Sequence, residues 1–411
     1  MNDAPLPPSC DVLVVGAGPA GSACAQMLAR SGLDTVLVDQ HDFPRDKVCG
    51  DGLIPDAHAA LRRLGVYDEV MALAQPARHV ACIGPRGGRV DVPGTVAVLP
   101  RKQLDHILVR AAQRAGASLH TPWRFEAPLV EADRVIGACL KSGERVHELR
   151  ARWVVLASGA PPQAMLASEL CQRRTPTGIA LRGYVKNEAM VGRIRALEIV
   201  WHKRLKHGYG WIFPAPGGVF NIGVGLADCF SLAGSKRLRM QDVNLRQVFD
   251  AFCEVYVPAR ELMAGGTMLG ELKGAPLRCS LDGALYSRAG MLATGEAIGS
   301  TYDFSGEGIG KAMHTGMLAA AAIATGHEQQ LGDGAVRTDY EAAIRGLQPR
   351  FELYRKASRV NAHPWLADLV IWRARNSERI LRRMSGVLEE TANPGNLVSA
   401  RGIAKLFLPI R

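Results

Sequence analysis

Asp11-Val12-Leu13-Val14-Val15-Gly16-Ala17-Gly18-Pro19-Ala20-Gly21 sets the class of this chain. Residues 11–15 are a short apolar run ending at Gly16, which reads as a strand buried on both faces. A helical pattern runs from about Gly18 to Ser31, Gly32 is placed to end it, and Thr35–Asp39 reads as a second buried strand. This β–turn–α–β unit opens a doubly wound sheet. Within it Gly16, Gly18 and Gly21 form G-x-G-x-x-G, with Pro19 and Ala20 between. Gly16 permits the tight turn, Gly18 lets backbone approach a pyrophosphate, and Gly21 lets the helix pack on the strand. The phosphates then meet free N–H groups and the positive end of the helix dipole. Asp39, 21 residues after Gly18 and followed by Gln40, is placed to bond a ribose hydroxyl and to disfavour a 2′-phosphate. The expectation is a dinucleotide site.

With 411 residues the chain exceeds the roughly 250–300 at which single cores stop growing, so more than one lobe is expected. The net charge of +11 attracts anionic partners, unless it only reflects an arginine-rich solvated surface. No zinc-finger spacing or aromatic RNA-binding motif accompanies it, so no nucleic-acid partner is expected. The nine cysteines are scattered, odd in number and never spaced C-x-x-C, which argues against a disulfide framework or zinc site and fits a reducing cytoplasm. The N-terminus lacks the basic and apolar regions of a signal peptide, and no stretch reaches the roughly 18–20 apolar residues of a membrane span. A cytoplasmic protein is expected, soluble or peripheral at a membrane.

Further along, a helix is expected from about 57 to 73, then strands to about 99, and a helix over Arg101–Gly116. Arg152–Ala157 reads as another buried strand, and 180–226 as alternating strands with turns at Gly208 and Pro216-Gly217-Gly218. Lys203-Arg204-Leu205-Lys206, between His202 and His207, reads as an exposed turn. Met291–Thr294 is a strand, and a helix opens near Gly308. The stretch 340–385 is helical and basic, with Trp365, Leu366, Leu369, Ile371 and Trp372 among its arginines. Such a helix lies on a membrane, docks an acidic partner, or is a solvated face with its apolar side in the core.

A second glycine-rich signal, Gly295-Glu296-Ala297-Ile298-Gly299 and Ser305-Gly306-Glu307-Gly308-Ile309, precedes that later helix. Its N-terminus is placed to face the pyrimidine edge of an isoalloxazine, which becomes anionic on reduction. With Arg101 and Phe43-Pro44-Arg45-Asp46-Lys47-Val48-Cys49-Gly50-Asp51-Gly52-Leu53, these motifs resemble the geranylgeranyl reductase family, within the hydroxylase-like and halogenase-like flavoproteins. The resemblance runs to about residue 325. It implies an α/β fold: a Rossmann-type FAD-binding lobe, similar to para-hydroxybenzoate hydroxylase, an antiparallel-sheet substrate lobe, and a helical C-terminal tail. The flavin lobe would take residues 1–60, 100–178 and 285–330, the substrate lobe 61–99 and 179–284, and the tail 331–411.

The same resemblance places Lys47, Cys49 and Gly50 beside the flavin, with Gly16, Gly18, Pro19, Ala20, Gly21, Asp39, Gln40, Arg101, Gly295, Glu296, Gly306, Gly308 and Ile309 completing the cofactor site. Tyr209, Trp211 and Phe213 would line the substrate pocket, ahead of the Asn221-Ile222-Gly223-Val224-Gly225 strand, and Trp201 would extend that apolar wall. Two departures stand out: Gly295-Glu296 where the family has Gly-Asp, and Ser158-Gly159 where Asp-Gly is common.

Cys49 is the candidate catalytic residue, since reducing an isolated C=C needs a proton beside the flavin hydride, and a thiol can relay one. The implied function is an FAD-dependent oxidoreductase that reduces or dehydrogenates carbon–carbon bonds of an apolar, isoprenoid-like substrate through flavin N5. NAD(P)H or a reduced electron carrier would be a transient donor, because the chain has no second G-x-G-x-x-G unit. The alternative is a flavin-dependent hydroxylase acting on an aromatic or carrier-bound substrate. Halogenation ranks lower, since no lysine lies between Lys47 and Lys102. A redox sensor or electron-transfer partner is the third class. The basic tail offers an acidic carrier protein or a membrane surface as partner.

Overall fold

The computed structural model describes residues 5–205, 207–227 and 243–395. Residues 1–4 of the expected flavin lobe, Lys206 of the basic turn, 228–242 with Cys229, and 396–411 of the expected tail lie outside the described residues.

Two sheets organise the chain. The first runs, edge to edge, Ser287–Arg288, Met291–Ala293, Arg145–Leu156, Ser9–Val15, Thr35–Val38 and Ser118–His120. Val12 pairs in parallel with Thr35 on one side and Trp153 on the other, so Ser9–Val15 is central. Arg145–Leu156 serves two neighbourhoods. Its first half alternates exposed and buried residues and pairs antiparallel with Arg134–Ser142, which continues to Arg124–Glu131. Its second half, Trp153-Val154-Val155-Leu156, is buried throughout because both faces are covered. Only that second half carries the apolar run that the sequence analysis recognises.

The second sheet has the order Thr267–Met268, Gly178–Lys186, Val219–Ala227, Gly208–Ala215, Leu197–Val200, Gln75–Ile83, Arg89–Val98 and Gly52–Leu53. It is mixed rather than purely antiparallel, since Leu197–Val200 pairs in parallel with Gln75–Ile83. Gly208, expected as a turn, instead starts a strand opposite Leu226. The helix expected over 57–73 divides into Pro55–Leu64 and Tyr67–Met71, because Gly65 takes φ +73° and caps the first piece.

One face of this sheet is covered by Leu245–Val255 and Val257–Ala264, helices not foreseen from sequence, which bury Phe249, Phe252 and Leu262 against Val185, Phe220 and Ile222. The opposite face receives the later helices of the tail, while the tail's first helix packs into the core of the first sheet. The tail is helical as expected but broken into Asp333–Ala357, Arg359–Ala362, Trp365–Arg375 and Glu378–Leu388. Leu366, Val370, Ile371 and Ile380 pack against Val80, Val92, Val98 and Leu197, so the tail's apolar side enters the core. No helix among the described residues is long and apolar enough to cross a membrane.

Candidate active site

The glycines of the first turn hold three different positions. Gly16 has φ +98°, and a Cβ there would collide with the Ala157 carbonyl oxygen. A Cβ on Gly21 would collide with the carbonyl oxygen of Gly16 itself. Gly18 is open: its added Cβ would meet only Arg45 Nη2 at 3.7 Å and Arg101 Nη2 at 3.9 Å. The helix Pro19–Arg30 starts there with no side-chain cap. Free N–H groups, a helix dipole and two guanidiniums therefore border one space, which suits a pyrophosphate. Ser158 adds a buried hydroxyl with no partner among the described residues. It is available to a polar group of the cofactor, so the cradle fits a dinucleotide.

Asp39 accepts from the Ala17 N–H (2.9 Å) and the His41 N–H (3.0 Å) and pairs with Arg45 at 3.4 Å. Gln40 beside it is exposed. Arg45 and Arg101 converge on fully buried Asp105. Arg101 donates from Nε (2.6 Å) and Nη2 (2.8 Å), and Arg45 from Nη1 (3.1 Å). Sequence reasoning missed Arg45 as a site residue; Asp105, four residues after Arg101 on one helix face, is the signal that could have linked them.

The second glycine-rich segment meets the first. Gly295, at φ +69°, leaves Ala20 Cβ only 2.6 Å from where its own Cβ would be, and a Cβ on Gly316 would strike the Ala20 carbonyl. Glu296, next to Gly295, is half-buried. Gly308 caps the helix Ile309–Glu328, and Ile309 packs with Leu53, Ala57 and Cys49. Residues far apart in sequence thus close around one crevice.

The segment Lys47–Leu53 crosses from the cradle to the second sheet. Trp211 and Phe213 rest on it: a Cβ on Gly50 would lie 3.2 Å from the Phe213 ring and 3.6 Å from Trp211 Nε1. Asn221 fastens the arrangement, donating to the Cys49 carbonyl (2.8 Å) and to Asp51 (2.8 Å) while accepting from Trp211 Nε1 (2.9 Å). The Lys47 carbonyl accepts from fully buried Arg182 at 3.2 Å. Burial pushes the Cys49 thiol upward, against the pull of neighbouring Arg101, so it is a protonated thiol at neutral pH.

Asp51 is the hub that sequence reasoning missed. It has φ +64° and no exposed surface, and it accepts from Tyr184 Oη (2.5 Å), Asn221 Nδ2 (2.8 Å) and the Arg101 N–H (3.2 Å). Burial pushes its carboxyl up to about 6, against the Tyr184 and Asn221 donors and the charges of Arg182 and Arg101.

Beyond this wall lies an apolar cavity of about 130 Å³. The second sheet contributes Val80, Ile199 and Tyr209, Trp201 follows directly on one of its strands, and the tail contributes Tyr354, Val370 and Leu388. Tyr209, Trp211 and Phe213 form one row of rings with centroids 6.3–6.4 Å apart, but only Tyr209 reaches the cavity; the other two face the Lys47–Leu53 segment. Tyr209 Oη donates to the Ser305 carbonyl at 2.5 Å, which ties the cavity wall to the loop carrying Gly306.

Comparison with known proteins agrees with this geometry. Residues 9–170 match the model of an FAD binding domain. A menaquinone reductase of Mycolicibacterium smegmatis is 33% identical over 337 residues, covering 77% of this chain and 76% of the relative. Digeranylgeranylglycerophospholipid reductase 1 of Methanopyrus kandleri is 26% identical over 388 residues, covering 92% and 98%. Among solved structures, a geranylgeranyl bacteriochlorophyll reductase-like protein of Thermoplasma acidophilum shares the fold, with TM-score 0.71 and 21% identity over 97% of this chain and 95% of that one. Cradle, sheets and relatives together define an FAD-dependent oxidoreductase. The chain belongs to the geranylgeranyl-reductase-like family of FAD-binding flavoproteins.

Proposed function

We propose that this protein saturates carbon–carbon double bonds in the polyprenyl chain of a lipid, taking hydride from reduced FAD. The observation that carries the reading is the apolar cavity, lined by Phe304, Ser305 and Glu307 just before Gly308 and the helix Ile309–Glu328. Its walls offer an isoprenoid chain dispersion contacts and almost no competing polar group. Two relatives with isoprenoid-bearing substrates in their names, menaquinone and digeranylgeranylglycerophospholipid, point the same way. FAD, when bound, supplies the two-electron carrier. Arg45, Arg101 and the N-terminus of Pro19–Arg30 would hold its pyrophosphate, and the N-terminus of the helix capped by Gly308 would favour negative charge on its ring. Cys49, kept protonated by burial beside Arg101, handles a proton on the flavin side of the wall. The reductant is NAD(P)H or a small electron carrier that visits the flavin face transiently.

Holoprotein incubated without oxygen, with dithionite and menaquinone in detergent micelles, should yield menaquinone carrying two extra hydrogens in its side chain by mass spectrometry. Absence of that product, from menaquinone and from a geranylgeranylated glycerophospholipid alike, would overturn the reading. Filling the cavity gives a second check. Ala367 is 4% exposed and lines the cavity, so Ala367→Phe should raise KM for menaquinone at least tenfold and leave flavin content unchanged. An unchanged KM would remove the cavity from the argument.

The partner of the tail is proposed to be an anionic membrane surface. Trp365 and Trp372, 59% and 52% exposed, stand seven residues apart on the outer face of a helix whose inner face lines the cavity. Exposed Arg375, Arg379, Arg382 and Arg383 follow them in the chain. Interfacial indoles with cations favour an anionic bilayer over a purely acidic protein face. Phosphatidylglycerol vesicles should sediment the protein and phosphatidylcholine vesicles should not, with binding about tenfold weaker in Trp365→Ala/Trp372→Ala. Equal sedimentation of variant and wild type would argue against this surface.

A further inference from the structure

Glu307 is the one carboxyl group among the residues lining the cavity. It stands two residues before the helix Ile309–Glu328 and near Tyr209. Three elements send charged groups toward it. Asp56 comes from Pro55–Leu64, Lys311 from the helix that follows Glu307, and Glu390 from just beyond Glu378–Leu388. The phenols of Tyr209, Tyr302 and Tyr354 complete its surroundings. Lys311 is already committed: its Nζ lies 2.9 Å from Asp56 Oδ2 and also pairs with Glu390, whose other oxygen takes Arg350 Nη1 at 2.7 Å. Burial and the nearby Asp56 push the Glu307 carboxyl well above the ordinary carboxylate range, Lys311 opposes them, and Glu390 adds to the rise. A carboxyl that holds its proton more tightly than usual therefore faces an apolar chamber, with an ion-paired cluster behind it.

On the reductase reading above, we propose that Glu307 is the catalytic acid that delivers the proton to the substrate alkene. One alkene carbon takes hydride from reduced flavin. The freed π pair bonds the Glu307 proton at the adjacent carbon. The products are a saturated bond with two new C–H bonds, oxidised flavin, and a Glu307 carboxylate. Asp56, Lys311 and Glu390 return a proton, supplied from solvent where Arg350 is 55% exposed. Cys49 does not line the cavity, which separates its flavin-side role from this one.

The test compares holoenzyme variants without oxygen, with menaquinone in micelles and dithionite as reductant. Glu307→Gln keeps the shape and removes the proton; turnover should fall about 100-fold or more at unchanged flavin content. Glu307→Asp retains an acid and should keep measurable turnover. Wild-type turnover should decline as pH rises through the Glu307 titration, a limb absent from the residual activity of Glu307→Gln. A readout independent of turnover is the infrared difference between wild type and Glu307→Gln at neutral pH, which should contain a protonated-carboxyl stretch. Wild-type turnover in Glu307→Gln, or no such stretch in the difference, overturns the proposal alone. Failure of the wild type itself to saturate menaquinone overturns the reductase reading, and this proposal with it.

Discussion

Gly21→Ala protein is expected to fold poorly and to purify with little or no flavin. The added methyl would collide with the carbonyl oxygen of Gly16, a backbone atom with no rotamer to yield. Overpacking a tight site costs roughly 1–3 kcal/mol and occasionally more, against a total stability of roughly 5–15 kcal/mol. Here the helix Pro19–Arg30 must lift off the turn, which moves the N–H groups that face the pyrophosphate. Gly18→Ala supplies the contrast. Its methyl would clear Arg45 and Arg101 by 3.7 and 3.9 Å, so the protein should fold at its normal midpoint and lose affinity only because the methyl occupies phosphate space. Flavin-to-protein absorbance and thermal unfolding of the two variants separate these outcomes. A Gly21→Ala protein with full flavin and an unchanged midpoint would sink the close-packing argument.

Asp51→Ala should destabilise the protein by about 3–5 kcal/mol, since one substitution strands several buried donors. The Tyr184 hydroxyl, the Asn221 amide and the Arg101 N–H all point at this carboxylate. Losing Asn221's anchor also loosens Trp211 and the Cys49 carbonyl, so flavin affinity should fall with stability. The charge leaves its own signature. In the folded chain Asp51 titrates near 6, above its usual value of 3.8, so the native state holds this proton more tightly than the unfolded state does. Its contribution to stability is therefore greatest below about pH 4, declines between pH 4 and 6, and is flat above. Asp51→Asn removes that dependence. The difference in melting temperature between wild type and Asp51→Asn should become less favourable to wild type across that window. A difference independent of pH would mean that Asp51 stays ionised throughout.

The part of this site that could be read in the sequence is the part that is local. Gly16, Gly18 and Gly21 lie within one turn, and the apolar run before them has a single reading, so a strand, a turn and a helix follow. The resemblance placed Arg101, the 47–53 segment and the 295–309 segment, and the structure draws all three to the same crevice. The Asp51 hub stayed hidden because its partners, Tyr184, Asn221 and the Arg101 N–H, come from three separated segments, and no periodicity links them. Arg45 stayed hidden for the same reason, its partners being Asp39 and Asp105. The row of Tyr209, Trp211 and Phe213 was legible as one strand face. Its division between cavity and flavin segment depends on where Gly50 and Gly52 cross beneath it. Helical spacing in the tail showed an apolar side but could not show that this side covers a cavity rather than a solid core. The helices Leu245–Val255 and Val257–Ala264 were missed outright, although Asn244 caps the first of them and Pro258 opens the second.

The placement of the cavity wall fixes an order of assembly. The crevice for the cofactor is complete once the helix Ile309–Glu328 is in place, whereas Val370, Met384 and Leu388, which close the chamber, come later in the chain. During synthesis the ribosome releases the cofactor crevice before it releases the wall. Domains fold as units from the N-terminal side as they emerge. A nascent chain can therefore present its cofactor crevice while the chamber beside it is still open to water, and the last helices then both close that chamber and bring Glu390 to Lys311.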